Sequence, residues 1–276
     1  MHFLSAYNKK DKTNKISANE YHTDVSLSVS IATYSDMGSR TENEDYCDYA
    51  VDDDHNVCIA LADGLGGEGG GSVASTMAAQ TILECFKAGA AEDTQAISGW
   101  FEEANRRVLS VQTESVEMKT TLVTLQIAHD TAMWAHIGDS RLCIFTDGVY
   151  SGRTFDHSVS QMAVLRGEIS EEDIRGHVDR NRLLRAIGRD ESVTAELSDP
   201  VNLIDGHAHG FLLCTDGFWE YVLEKEMEST LKRSHDAGEW LDRMVSVVRK
   251  RAKKDHDNNT AVAVIVHKKT GGNDDE

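Results

Sequence analysis

Residues 27–31 alternate apolar and polar side chains, Leu27-Ser28-Val29-Ser30-Ile31, which is the period of a half-buried strand. Residues 56–62 behave differently: a nearly unbroken apolar run stops at Asp63-Gly64, predicting a buried strand with an acidic residue at its tip. Glycines crowd positions 64–71, and residues 73–87 are rich in Ala, Met and Leu without Gly or Pro, so a loop feeding a helix is expected. A second helix is expected over residues 94–112. Three apolar strands follow at 121–128, 132–137 and 141–145, with turns at His129-Asp130 and Asp147-Gly148. Residues 211–214 form a further apolar strand that again ends in an acidic turn, Asp216-Gly217. Residues 236–254 place Leu241, Met244 or Val245, and Val248 on one helical face, and 260–266 close the chain as a strand.

Between these elements, residues 154–192 are polar, rich in Arg and only patchily helical, an excursion from the core. No repeat of fixed period is present. Short hairpin-connected strands, with two long helices early and one late, predict antiparallel sheets with helices packed outside, an α+β arrangement. The expected organisation is a flexible extension over residues 1–25, one domain over 26–268, and a polar tail over 269–276.

Composition agrees with one core: of 276 residues, 40% are hydrophobic and 27% charged. Charge narrows the function. Lys and Arg total 28 against 47 Asp and Glu, a formal net charge of −19, which argues against nucleic-acid partners that require a positive face. An anionic substrate would need local positive charge, and bound metal ions are its natural source. Cys47, Cys58, Cys85, Cys143 and Cys214 form no CxxC pair, and several have apolar neighbours, which reads as small core residues in a reducing compartment, the cytoplasm. The polar N-terminus lacks a signal-peptide pattern, and no run approaches the roughly 18 apolar residues of a membrane span.

Four segments share one layout, an Asp where an apolar strand meets a turn: Asp63-Gly64, Gly138-Asp139, Asp216-Gly217, and Asp257-Asn258-Asn259-Thr260. Glu44-Asp45 precede a further strand. Should these strand ends converge, the carboxylates repel unless cations neutralise them. Hard oxygen ligands suit Mg²⁺ or Mn²⁺, and no His or Cys set has zinc spacing. Any single Asp-Gly is an ordinary turn dipeptide, and Asp147-Gly148 is assigned no chemistry. The set in order is what carries weight.

Arg40-Thr41-Glu42-Asn43-Glu44-Asp45, Asp63-Gly64-Leu65-Gly66-Gly67, Gly138-Asp139-Ser140-Arg141, Asp216-Gly217-Phe218-Trp219 and Asp257-Asn258-Asn259-Thr260 together resemble the signature blocks of the metal-dependent, type 2C serine/threonine protein phosphatases. Asp156-His157-Ser158 and the segment 180–188 resemble weaker family blocks, so the resemblance spans residues 30–266. It implies a four-layer sandwich of two central antiparallel sheets flanked by helix pairs. It also implies hydrolysis of phosphoserine and phosphothreonine by a hydroxide bridging two Mn²⁺ or Mg²⁺ ions, without a phosphoenzyme.

By the same resemblance Asp63 bridges the two metals, the Gly64 carbonyl also binds, and Asp216 and Asp257 are direct ligands. Glu44 and Asp45 contact a metal or hold its waters, Asp139 serves a third, weaker metal position, and Arg40 binds substrate phosphate with a fork that suits two oxygens. Partners implied are phosphorylated proteins, with a serine/threonine kinase opposing, and a monomer is expected.

Leu65 stands where many eukaryotic members have a histidine, which removes a proton donor and resembles the bacterial branch. Lys119 and Val178 replace a common glycine and proline. His157 reads as structural or as a cleft contact, Trp219 as packing beside the metal strand, and the Arg-rich stretch 175–189 as a substrate-facing flap or a solvated surface. A catalytically inactive, phosphatase-like binding or sensing module is the alternative; no candidate ligand is replaced by a neutral residue, which disfavours it. A phosphodiesterase or nuclease is disfavoured by the net charge.

Overall fold

Along the strand Val57–Leu65 alternate side chains enter two different cores, which is why its sequence is apolar on both faces. Cys58, Ala60 and Ala62 meet helices, while Val57, Ile59 and Leu61 meet a second sheet. The computed structural model describes residues 16–22, 27–66, 69–113 and 116–268. The strand at Asn259–Lys268 repeats the rule: Ala261, Ala263 and Ile265 face helices, and Val262, Val264 and Val266 face the opposing sheet.

One sheet of the described residues has six strands in the order Ser17–His22, Leu27–Asp36, Asn259–Lys268, His209–Cys214, Arg141–Thr146, Val149–Arg153, all paired antiparallel. The other has the path Glu196–Leu197, Thr131–Ile137, Leu122–Ala128, Val57–Leu65, Asp45–Val51, with Val201–Asn202 and Lys119–Thr120 paired at its margins. Helices Gly70–Ala88 and Thr94–Val111 cover this second sheet. Helices Glu224–Leu231 and Ala237–Arg251 lie on the outer side of the first, where Trp240, Leu241, Met244 and Val248 are buried. The result is the expected helix–sheet–sheet–helix stack.

Local chemistry explains the helix starts. Asp93 accepts from Ala96 N–H and Asp236 from Glu239 N–H, each at 2.8 Å, satisfying an orphan donor of the first turn. The expected helices therefore stand, with the first beginning earlier, at Gly70.

Two expectations change. The strand carrying Asp63 does not end there: Gly64 and Leu65 continue it by pairing with Thr120 and Lys119. The reading of residues 1–25 as a loose extension gives way at Ser17–His22, which pairs with Leu27–Asp36 as an edge strand. Residues 1–15 and 269–276, expected as extension and tail, lie outside the described residues. No helix among the described residues is long and apolar enough to cross a membrane.

Ile59 is fully buried between the sheets. Ile59→Ala is expected to lower unfolding free energy by about 2–5 kcal/mol in urea titration, because a cavity there has close-packed walls on both sides.

Candidate active site

Strand direction brings the acidic residues together. Asp45 opens the strand Asp45–Val51 and stands opposite Asp63 in the ladder. Asp139 follows the strand Thr131–Ile137. From the other sheet, Asp216 follows His209–Cys214 and opens a short helix, and Asp257 precedes Asn259–Lys268. These ends lie on one side of the sandwich. Arg40, Glu44, Asp63, Gly64, Asp139, Asp216 and Asp257 line a single cleft of about 230 Å³. Asp45 is buried beside it. Of the residues expected at the site, all but Asp45 line the cleft, and Asp45 stands opposite Asp63 in the ladder.

Close backbone approach makes this convergence feasible. A Cβ on Gly64 would collide with the Gly71 carbonyl, and one on Gly217 with the Asn258 carbonyl, so bulk at either would push the cleft walls apart. Threonine hydroxyls tie the ends. Asp63 N–H donates to Thr121 Oγ1 at 2.9 Å, and Thr120 Oγ1 donates to the Asp63 carbonyl at 2.8 Å. Thr215 Oγ1 donates to Asp45 Oδ2 at 2.9 Å, joining the two sheets. Asn258 accepts from Glu44 N–H and donates to the Met37 and Glu42 carbonyls, which pins the Arg40–Glu44 loop against Asp257.

The electrostatics are unbalanced. Arg40, bound to Asp257 at 2.6 Å, is the one cation among the lining residues, against five carboxylates. Desolvation, reinforced by Asp216 and Asp257, pushes the Asp45 carboxyl up to about 7. Desolvation and the Asp257 charge push Asp216 up to about 6, with Arg180 opposing. Asp63 and Asp139 are raised well above the ordinary carboxylate range by desolvation and neighbouring aspartates, and Glu44 is raised by desolvation and Glu42. Asp45 Oδ1 is buried without a hydrogen-bond partner.

An orphaned buried oxygen within a cluster of mutually repelling carboxylates fits divalent cations, and the all-oxygen donor set fits Mg²⁺ or Mn²⁺. A different group, His136, His157 and Glu196, has candidate donor atoms within 4.8 Å of one another. Its two rings stack with centroids 4.7 Å apart and planes inclined by 8°, so their in-plane lone pairs cannot meet at one ion. His157 Nδ1 accepts from Gly138 N–H at 3.1 Å, and its own N–H donates to the Gly138 carbonyl. It holds the turn before Asp139, as the structural reading expected.

Sequence reasoning missed a buried support. Arg141 forks onto Asp156 at 2.8 and 2.7 Å, both side chains nearly sealed from solvent. Its guanidinium lies 3.5 Å from the centre of the Trp219 ring, whose Nε1–H donates to the Asp139 carbonyl at 3.1 Å. Arg141 and Asp156 gave no sign of each other, because pairing across 15 positions carries no periodic trace. In the excursion 154–192, Arg175 and Arg180 are taken up by Glu224 and Glu220, while Asn181 and Leu183 line the cleft.

Known proteins similar to this chain are phosphatases. A model of the Protein phosphatase 2C family matches residues 34–259. The serine/threonine phosphatase stp of Listeria monocytogenes is 32% identical over 212 residues, covering 74% of this chain and 82% of that protein. Among solved structures, the S. agalactiae serine/threonine phosphatase aligns with a TM-score of 0.75 at 25% identity, covering 86% of this chain and 98% of that one. The catalytic domain of the serine/threonine protein phosphatase PstP, in complex with two manganese ions, aligns with a TM-score of 0.74 at 26% identity, covering 87% and 99%.

The raised carboxyls set a pH dependence. A carboxyl whose pKa is higher folded than unfolded stabilises the fold below its unfolded value, near 3.8, and loses that contribution as pH rises through its folded value. With chelator present, the melting temperature is expected to fall between about pH 4 and pH 7, and Mn²⁺ at pH 7 is expected to restore it. A chelated protein whose melting temperature is flat across that window would contradict the electrostatic account.

Proposed function

Since the chain belongs to the protein phosphatase 2C family, we propose that the cleft is its catalytic centre and that Asp63, the Gly64 carbonyl, Asp216 and Asp257 hold two Mn²⁺ or Mg²⁺ ions there. The protein is a metal-dependent serine/threonine protein phosphatase acting on phosphoproteins. The observation that carries the site assignment is the arrival of carboxylates from both sheets in one cleft with a single lining arginine. In this reading the orphaned Oδ1 makes Asp45 a contact to a metal or its water, Glu44 orders water at the rim, and Asp139 serves a third, weaker position.

A pair of divalent ions in such a site supplies Lewis acidity towards a phosphoryl group and lowers the pKa of water towards neutrality. The protein's own groups do the rest. Arg40 sits at the cleft with its guanidinium half exposed, and it binds phosphoryl oxygens in a fork. The same contact to Asp257 positions that fork beside the ligand set. Leu65 lines the cleft and offers no proton, and no imidazole, thiol, phenol or amine is among the lining residues; with the lining carboxylates ionised as metal ligands in this reading, water protonates the leaving alkoxide.

The retention of every acidic position favours an active enzyme over an inactive binding module. Five free cysteines, three of them buried, support a reducing compartment such as the cytoplasm, where a serine/threonine kinase would oppose this activity. A monomer completes the reading.

Phosphate release from a phosphothreonine peptide, assayed with Mn²⁺ and with chelator, tests the function: turnover should require the metal. Asp63→Asn and Asp216→Asn should each abolish turnover while the circular dichroism spectrum persists, and retention of most activity in both would refute the site. Arg40→Ala should raise KM more than it lowers kcat, because phosphate binding is weakened throughout the reaction. An unchanged KM would remove Arg40 from that role.

A further inference from the structure

Two asparagines line the cleft, and their amides are used differently. Asn258 is consumed internally, its oxygen accepting from Glu44 N–H and its nitrogen donating to two carbonyls. Asn181 accepts from Arg180 Nε–H at 3.0 Å, and its NH₂ has no partner among the described residues. A guanidinium N–H can only donate, so the amide oxygen must face Arg180, which fixes the orientation of the amide.

Arg180 is itself immobilised. Nη1 donates to the Arg175 carbonyl at 3.1 Å and Nη2 to Glu220 Oε2 at 2.7 Å. Glu220 belongs to the turn that begins at Asp216, its N–H donating to the Asp216 carbonyl at 2.9 Å. A chain of bonds therefore runs from Asp216 through Glu220 and Arg180 to Asn181, and it holds the excursion against the cleft. The side-chain N–H donors among the lining residues belong to Arg40, Asn181 and Asn258. With Asn258 occupied, Arg40 and Asn181 are left to meet an anion surrounded by carboxylates.

We propose that Asn181 Nδ2 donates a hydrogen bond to a non-bridging oxygen of the substrate's phosphoryl group, with Arg180 as its positioning residue. The inference rests on the phosphatase reading above. Asn181 adds no charge, so it contributes direction where Arg40 contributes attraction. Because the contact is to the phosphoryl group, it operates on any monoester the cleft accepts.

The test is steady-state kinetics of the full chain with Mn²⁺, using a phosphothreonine peptide and p-nitrophenyl phosphate. Asn181→Asp keeps the acceptor for Arg180 and nearly the same shape, but replaces the donor with an anion. It is expected to lower kcat/KM by more than 10-fold on both substrates, mainly through KM, and Asn181→Ala by about 10-fold, the loss of one hydrogen bond to a charged group. Arg180→Lys, which retains charge but not the Nε donor, should cause a smaller loss on both, with KM again the parameter that moves. Arg182→Ala, exposed and paired with Asp179, should leave both within twofold.

Melting temperature and the Mn²⁺ concentration for half-maximal rate should be unchanged in Asn181→Ala and Arg182→Ala. Asn181→Asp within twofold of the unaltered protein would overturn the proposal, as would a loss confined to the peptide. If the unaltered protein releases no phosphate from either substrate, the phosphatase reading fails and this contact falls with it.

Discussion

Repulsion among carboxylates where the two sheets end is the constraint on which the site depends. Two packed antiparallel sheets deliver backbone to a common edge, and this chain places acidic residues from both sheets there. Without counter-charge the arrangement is costly: burial first, and repulsion from neighbouring aspartates second, push the Asp45, Asp63, Asp139 and Asp216 carboxyls up. With divalent ions the same proximity becomes affinity. In the proposed site, folding and metal binding are coupled through the same few side chains.

The frame around those side chains is built to resist that repulsion. Thr120 and Thr121 hold the Asp63 backbone from both directions, and Thr215 spans the sheets to Asp45. Behind Asp139, the buried Arg141–Asp156 pair supports Trp219, which holds the Asp139 carbonyl. A buried ion pair is weak evidence of stability, because desolvation offsets much of its attraction. Its value here is directional: a bidentate fork and a stacked ring leave Asp139 little freedom. The excursion from 154 to 192 shares this support, since Asp156 anchors its start and Arg180 clasps its far side to Glu220.

Much of this was legible in the sequence because two-sided burial leaves a plain mark. An apolar run such as 57–62, stopping at an acidic residue, announces both a central strand and its functional end. The helices expected over 94–112 and 236–254 begin where Asp93 and Asp236 cap them. The strand at Ser17–His22 was not, since an edge strand with one exposed face reads as polar chain. The continuation through Gly64 was hidden because Asp-Gly signals a turn, and here pairing with Lys119–Thr120 overrides that preference. Clasps such as Arg180 with Glu220 depend on tertiary placement across 40 positions and leave no period to detect.

The central claim is spatial, so locating the ions tests it most directly. Crystals grown with Mn²⁺ and measured at the manganese absorption edge should give strong anomalous peaks inside the cleft bounded by Asp63, Asp216 and Asp257. An empty cleft, with manganese found only elsewhere such as beside His136, His157 and Glu196, would contradict it.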